Sequence, residues 1–369
     1  MARHIEWAEF ESLVRPERLG SISTVIQFIE RNRSRPVVVF GNKDEIDFVK
    51  WYLDIFGIEV KSTYETALEL CESEPRDILV ISARNYEPHY IAANRLKLLK
   101  DMGQLRAHLF SCCCAMPSPI LYDRGKSLHR LIENGLGDIR ETYLLLNDDL
   151  SRSIYLNVIL LRISGNGSFI PYTPYSQYLH PSIKLSPNPV IIDGGAYDGD
   201  SAKIFYQATL GQCLIYSFEP SPDTYIRLIK NLEHAGLTDR VIPLNFALWS
   251  KTDTLKFMQS IDPSSNKLSL RGEITVRAIS IDDFMAKERV KKCDYVKLDV
   301  EGAEPEVLLG CQETIDRHSP ALSICVYHDV KHLLSIPQML KKMYPQYKLY
   351  LGHHHPKYVY ETVLYATRS

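Results

Sequence analysis

Four short stretches in the second half of the chain combine residue types that can do chemistry together. The first, Ile192-Asp193-Gly194-Gly195-Ala196-Tyr197-Asp198-Gly199-Asp200-Ser201, follows an apolar run and opens a helix. Glycines at 195 and 199 would let a ligand approach the backbone, where a bulkier side chain would block it. An acid at a strand tip beside a helix N-terminus could hold a zwitterion, its carboxylate on the amides and its amine on Asp193. The bland alternative is a tight strand–helix turn with nothing bound. The second stretch, Ser217-Phe218-Glu219-Pro220-Ser221-Pro222, places an acid 20 residues after Gly199. At this position in nucleotide-binding α/β folds, a carboxylate accepts hydrogen bonds from both ribose hydroxyls, and Pro220 would help to aim it. Otherwise Glu219 is a helix cap.

The third stretch is Lys297-Leu298-Asp299-Val300-Glu301-Gly302-Ala303-Glu304. Asp299 and Glu301 could bind substrate hydroxyls, steer a cation or hold a divalent metal. Glu304 and Glu306 read as first-turn helix acids. The fourth, Val326-Tyr327-His328-Asp329, offers a histidine that could take a proton at neutral pH or merely cap the following helix. His353-His354-His355 fall in the turn expected between the last two strands, a rim position.

These stretches need a scaffold. From Val190 onward the chain alternates strands (190–192, 214–218, 241–246, 295–298, 321–326) with helical stretches, then adds strand candidates at 347–351 and 358–365. A polar interval and the alternating 274–277 read as a small added hairpin. The pattern predicts an α/β fold: a doubly wound, seven-stranded, mostly parallel sheet closed by an antiparallel hairpin. Residues 297–304 would then leave the strand beside that of Asp193, and both tips would border the crevice where such sheets bind ligands. Upstream, residues 1–125 alternate in the same way, as in Pro36-Val37-Val38-Val39-Phe40-Gly41, and read as a smaller α/β domain. Its first turn has one glycine and lacks G-x-G-x-x-G, so it reads as a half-Rossmann-like scaffold without a nucleotide. Residues 126–185 form a helical connector ending in a proline-rich approach, and 186–369 form the second domain.

The remaining composition narrows the partners. Across 369 residues, Lys+Arg 43 against Asp+Glu 45 leaves neither half with the basic excess that a phosphate backbone demands, so nucleic acid is not expected. No stretch reaches the ~18–20 apolar residues of a membrane span, and the N-terminus lacks a signal-peptide apolar core. The eight cysteines form no CxxC pair or ligand spacing, which fits a reduced cytoplasmic protein, and Cys112-Cys113-Cys114 reads as buried filler after a strand. A homo-oligomer is compatible with all of this.

The four stretches, in order and at these separations, resemble the FkbM family of class I S-adenosylmethionine-dependent methyltransferases, together with the closing Glu361-Thr362-Val363-Leu364-Tyr365-Ala366. The likeness covers about residues 190–330. The helical segment 147–158 is also similar to the one preceding this domain in longer members, which often carry an N-terminal Rossmann-like domain. The resemblance implies a class I, Rossmann-like fold, S-adenosylmethionine as cofactor and S-adenosylhomocysteine as product. By position it places Asp193, Gly194, Gly195, Ala196, Gly199, Asp200 and Ser201 at the methionine end of the cofactor. Glu219, with Pro220 and Ser221, would lie at the ribose, and Asn245, Phe246 and Ala247 at the adenine. Asp299 would border the cofactor. Tyr197 stands where the wider class has a glycine. The implied reaction is O-methylation of a small-molecule or carbohydrate acceptor, on a sugar, glycan or natural product. His328 would be the base, with Asp299 and Glu301 orienting the acceptor. A Mg²⁺-assisted variant stays open, although the same residues serve a metal-free mechanism. Two other readings are an NAD-dependent nucleotide-sugar enzyme, which the spacing G-x-x-x-G disfavours, and an inactive methyltransferase-fold scaffold.

Overall fold

The computed structural model describes residues 3–41, 43–65, 78–82, 107–111, 136–258, 267–268, 274–356 and 360–368. The cysteine triplet and the first part of the connector lie outside them. The chain divides into two compact units. The first contains Met1–Leu144, Asp148–Tyr172 and His355–Tyr360, and the second Leu145–Asn147, Thr173–His354 and Glu361–Ser369. The segment 126–185, expected as a connector, is therefore shared between the units, with the break at Thr173.

In the first unit, helices α1 (Trp7–Leu13), α2 (Pro16–Ile22) and α3 (Thr24–Arg31) precede β1 (Val37–Phe40). Then come α4 (Lys43–Ile55), β2 (Val60–Tyr64), β3 (Ile78–Ser82) and β4 (Ala107–Ser111). The four strands pair in parallel in the order β2-β1-β3-β4. Helix α5 (Gly137–Leu145) is followed by α6 (Asp149–Ser164), which starts where the Asp148 carboxylate accepts the Ser151 amide and stops at left-handed Gly165. Thirteen residues of α6 are buried, which explains why it lacks a polar face.

The second unit holds the seven-stranded sheet. Its elements are β5 (Val190–Gly194), α7 (Asp200–Ala208), β6 (Leu214–Phe218), α8 (Pro222–His234) and β7 (Val241–Leu244). After a small second sheet come β12 (Tyr295–Leu298), α10 (Glu304–Leu309), α11 (Gln312–His318), β13 (Ala321–Cys325), α12 (Val330–Met343), β14 (Lys348–His353) and β15 (Thr362–Thr367). The order is β14-β15-β13-β12-β5-β6-β7; β15 runs antiparallel to both its neighbours and the other pairings are parallel. The central strands are apolar because helices cover both faces: β12 is buried throughout and β5 at all but its first residue. Winding runs outward from β5 to β7, then restarts at β12 on the other side. The reversal falls between β5 and β12, and a cleft opens at their carboxyl ends in sheets of this kind.

The expected hairpin is instead a four-stranded sheet. It comprises β8 (Ala247–Leu248), β9 (Asp253–Met258), β10 (Lys267–Leu268) and β11 (Ile274–Ile279) in the order β10-β9-β11-β8, and α9 (Ile281–Lys287) follows it. Here β8 pairs in parallel with β11 from a distance in sequence that alternation cannot reveal. Strand β7 accordingly ends at Leu244, before Asn245 and Phe246, and the last strand begins at Thr362 rather than 358.

A candidate active site at the carboxyl edge of the central sheet

The glycine-rich turn leaves β5 through three left-handed residues, Gly195 (φ 74°), Tyr197 (φ 47°) and Gly199 (φ 92°). A Cβ on Gly195 would lie 1.8 Å from the Asp299 carbonyl oxygen, so glycine here lets the tips of β5 and β12 touch. The Gly195 and Ala196 amides donate to the Phe218 carbonyl, at 3.0 and 2.9 Å. The turn is thereby tied to β6 as well.

Asp193 has a structural role. Its carboxylate is fully buried, accepts from the Ser201 and Ser217 hydroxyls, and pairs with Lys297 Nζ at 3.2 Å. Lys297 lies opposite Asp193 in the parallel β5–β12 ladder and donates to the carbonyls of Gly194 (3.1 Å) and Gly195 (2.6 Å). Burial alone would discharge the ammonium, but Asp193 and then Asp299 outweigh it and hold the pKa above the ordinary lysine value. Sequence reasoning passed over Lys297. The signal was there: a lysine inside Tyr-Val-Lys-Leu, a strand otherwise fit for burial on both faces. Gly194, Ala196, Ser201 and Ala247 are buried structural members of the turn and its neighbours, while Asp200 is exposed.

Glu219 ends β6 with 7% exposure. Each carboxylate oxygen accepts one backbone amide, Ser221 N at 2.9 Å and Tyr197 N at 3.1 Å. Lone pairs remain on both oxygens, enough for two neighbouring hydroxyls. Burial pushes its pKa up to about 7, against the two amides and the cations Lys297 and Arg227. Ser221 caps α8 through its hydroxyl. Asn245 Nδ2 donates to the carbonyls of Glu219 (3.0 Å) and Pro220 (3.1 Å), bracing the tip of β6 against that of β7. The Phe246 ring, half-buried beside them, carries the Arg277 guanidinium at 4.3 Å. These residues fit a ribose-bearing cofactor: a buried carboxylate with spare acceptor capacity, and an aromatic ring at the next strand tip.

At the β12 tip, Asp299 accepts the hydroxyls of Tyr178 (Oδ2, 3.0 Å) and Tyr327 (Oδ1, 3.0 Å). Gln177 donates to the Tyr178 hydroxyl and to Glu361, which leads into β15. Burial, followed by the Asp299 charge, raises the pKa of Glu361. His328 Nε2 faces Asp299 at 3.3 Å and Glu301 at 3.5 Å, and its Nδ1 meets Glu304 at 2.8 Å. Asp299, Glu301 and His328 therefore do converge. Gln177 and Tyr178 join them from a segment that carries no motif of its own, and Glu361 from the start of the closing motif.

Three expectations need correcting here. Glu304 is more than a first-turn helix acid: it is fully buried, accepts the Val300 and Gly302 amides, and lies between His328 and His332. His328 is not poised as a neutral base. Burial opposes its charge, but Glu304, then Asp299 and Glu301, prevail and raise its pKa to about 10. The histidine triplet is not a solvated rim either. His353 is buried at the end of β14, with Nδ1 2.9 Å from the Thr362 hydroxyl, while His354 Nε2 lies 2.8 Å from the Tyr365 hydroxyl. Burial, with His180 nearby, lowers the His354 pKa to about 4. Among the described residues, no group of three or more His, Cys, Asp or Glu is arranged to hold a metal ion.

Comparison with known proteins places this geometry. Residues 193–349 match the model of the methyltransferase FkbM domain, so the likeness carried by the four motifs is shown for this stretch. Hexuronic acid methyltransferase AglP of Haloferax volcanii is 40% identical over 98 residues, 26% of this chain and 40% of that protein. The 2-O-methyltransferase NoeI of Sinorhizobium fredii is 28% identical over 156 residues, 37% of this chain and 63% of that one. The chain thus spans less than two thirds of each of these relatives. The crystal structure of an FkbM methyltransferase from Methylobacillus flagellatus shares the fold, with a TM-score of 0.59 at 17% identity over 97% of both chains. The second unit has the class I methyltransferase fold.

Proposed function

We propose that the protein is an S-adenosylmethionine-dependent O-methyltransferase whose acceptor is a hydroxyl of a sugar, glycan or related natural product. The observation that carries this is the junction at the β5/β12 reversal, where a glycine turn, a buried ribose-type acid and an acidic corner with a histidine share one sheet edge. The relatives' names, a hexuronic acid methyltransferase and a 2-O-methyltransferase, support a hydroxylated carbohydrate as the acceptor class.

When bound, S-adenosylmethionine supplies an electrophilic methyl group on a sulfonium. The protein's task is to align an acceptor oxygen in line with that methyl and to receive the acceptor's proton. Glu219 holds the ribose hydroxyls, Gly195 and Gly199 give the backbone access, and Asn245 with Phe246 borders the adenine. Asp193 acts indirectly: with Lys297 it secures the carbonyls of the glycine turn. Asp299, its oxygens fixed by Tyr178 and Tyr327, and Glu301 orient the acceptor hydroxyl. His328 takes the proton at Nε2 when that nitrogen is bare. With a pKa of about 10, only roughly one ring in a thousand is bare at pH 7, so turnover is expected to rise with pH through the alkaline range.

Calorimetry and thermal shift test this directly. S-adenosylmethionine and S-adenosylhomocysteine are expected to bind and stabilise the protein, and Glu219→Gln to weaken both. A shift with NAD(H) and none with either sulfur ligand would reverse the assignment. Turnover insensitive to EDTA supports the metal-free route; loss with EDTA and recovery with Mg²⁺ would replace it.

A further inference from the structure

Behind the ring assigned as base lies a second layer of titratable groups that the mechanism above does not use. Three buried polar atoms fall along one path: His328 Nε2, Glu304 Oε2 and His332 Nδ1. Glu304 Oε2 and His332 Nδ1 face each other at 3.2 Å. The other oxygen of the same carboxylate holds His328 Nδ1 at 2.8 Å. Glu304 is fully buried, and the side chains of His328 and His332 are 8% and 9% exposed. A charge in such an interior is costly unless it is paired, and here one carboxylate is flanked by two imidazoles.

We propose that Glu304 and His332 are positioning residues for His328. Glu304 keeps a proton on Nδ1, and His332, sharing the same carboxylate, sets how readily Nε2 takes and releases the second. The proposal rests on the methyl-transfer reading for its chemistry but not for its test. In the reactive step the acceptor O–H bond breaks and the Nε2–H bond forms, while the Nδ1 proton stays between the ring and Glu304. That fixes one tautomer, with Nε2 towards Asp299 and Glu301. One carboxylate thus serves two imidazoles. An N–H from His332 to Oε2 draws on the negative charge that holds the second proton on His328. His332 occupies the first turn of α12. The same carboxylate also fixes the turn through Glu301 (φ 55°) and Gly302 (φ 96°), so acceptor-side acid and base side chain share one anchor.

The groups facing His328 come from several elements: Asp299 and Glu301 from the β12 exit and Glu304 from α10. Tyr327 comes from the β13 exit and Glu361 from the entry to β15, while His332 of α12 acts through Glu304. Two variants move its titration in opposite directions, which a merely structural role would not do. Replacing His332 with a side chain that cannot donate leaves Glu304 wholly to His328, so His332→Leu raises the His328 pKa. Glu304→Gln removes the main attracting charge and lowers it to the ordinary imidazole value or below.

The readout is the ¹⁵N-histidine spectrum of the ligand-free protein titrated with pH, which reports both tautomer and charge. The wild-type ring is expected as the Nδ1–H form once Nε2 is bare. If His332→Leu leaves the His328 titration in place, or the bare ring carries its proton on Nε2, the proposal is overturned. Should Glu304→Gln fail to fold by circular dichroism, the tautomer and the His332→Leu shift decide alone. Coupling found in a protein that binds no S-adenosylmethionine would uphold the positioning pair and sink the methyltransferase reading. Methyl transfer without coupling would do the reverse.

Discussion

Single side chains here do work that their type alone does not announce. Lys297 and Asp193 are both fully buried, and each charge is tolerable only because of the other. Lys297→Met leaves the Asp193 carboxylate uncompensated and frees two carbonyls of the glycine turn. The expected cost is about 3–5 kcal/mol in chemical denaturation, with weakened cofactor binding. A double replacement with apolar partners is expected to recover much of that stability but not the binding. Glu219 makes a pH prediction. Burial raises its pKa from 4.5 to about 7, so the folded state holds the proton more tightly than the unfolded one. Its contribution to stability therefore declines as pH rises from about 4.5 to 7. Ribose hydroxyls bind the ionised form, so S-adenosylhomocysteine affinity measured by calorimetry is expected to increase between pH 6 and pH 8. Glu219→Gln abolishes that increase. The motif residues Gly195, Glu219, Asp299 and His328 were legible in sequence because a local pattern surrounds each one. Gln177 and Tyr178 were not: they join this corner through tertiary folding of a segment without periodicity, and the closing motif showed Glu361 but not its place beside Asp299. The burial of Asp193 and Glu304 was not legible either, because no linear pattern reports a carboxylate's exposure.

Elements of the central sheet were legible for a different reason. Runs such as Val190-Ile191-Ile192 are apolar on both faces only where helices cover both, so strand identity and parallel pairing followed together. Only the hairpin of the small sheet was legible, because β8 has two residues and its partner β11 begins 26 residues after it ends. Helix α11 shows how elements depend on one another. Its own N-cap, Cys311, makes no side-chain cap bond; instead Asp282 of α9 accepts the Glu313 and Thr314 amides and the Thr314 hydroxyl. Asp282→Ala is expected to cost about 1–2 kcal/mol, with Asp282→Asn recovering part of it, as measured by urea denaturation. Cofactor affinity should be unchanged at temperatures where the variant is folded.

At the scale of the molecule, the family match covers 193–349, while the likeness to a solved FkbM methyltransferase runs along nearly the whole chain, the first unit included. Among the described residues, Cys213, Cys293, Cys311 and Cys325 are free and buried. Burial raises the pKa of Cys293 to about 12 and holds Cys311 and Cys325 well above the ordinary thiol value. Thiolates are the reactive form, so alkylation followed by peptide mapping should leave these four unlabelled in the native protein. Brief denaturation should label all four; native labelling of Cys311 or Cys325 would contradict the packing described for the second unit.

Strand β15 lies inside the sheet, between β13 and β14, yet it follows both along the chain. This order has a temporal meaning. During synthesis, β13 exposes an open edge and β14 has no route into the sheet until residues beyond Thr362 emerge. Glu361 arrives at the same moment. A nascent chain can assemble the glycine turn and the Glu219 pocket early, but the acidic corner closes last. Cofactor present during synthesis is therefore expected to be captured by chains arrested before Thr362, ahead of completion of the acceptor side.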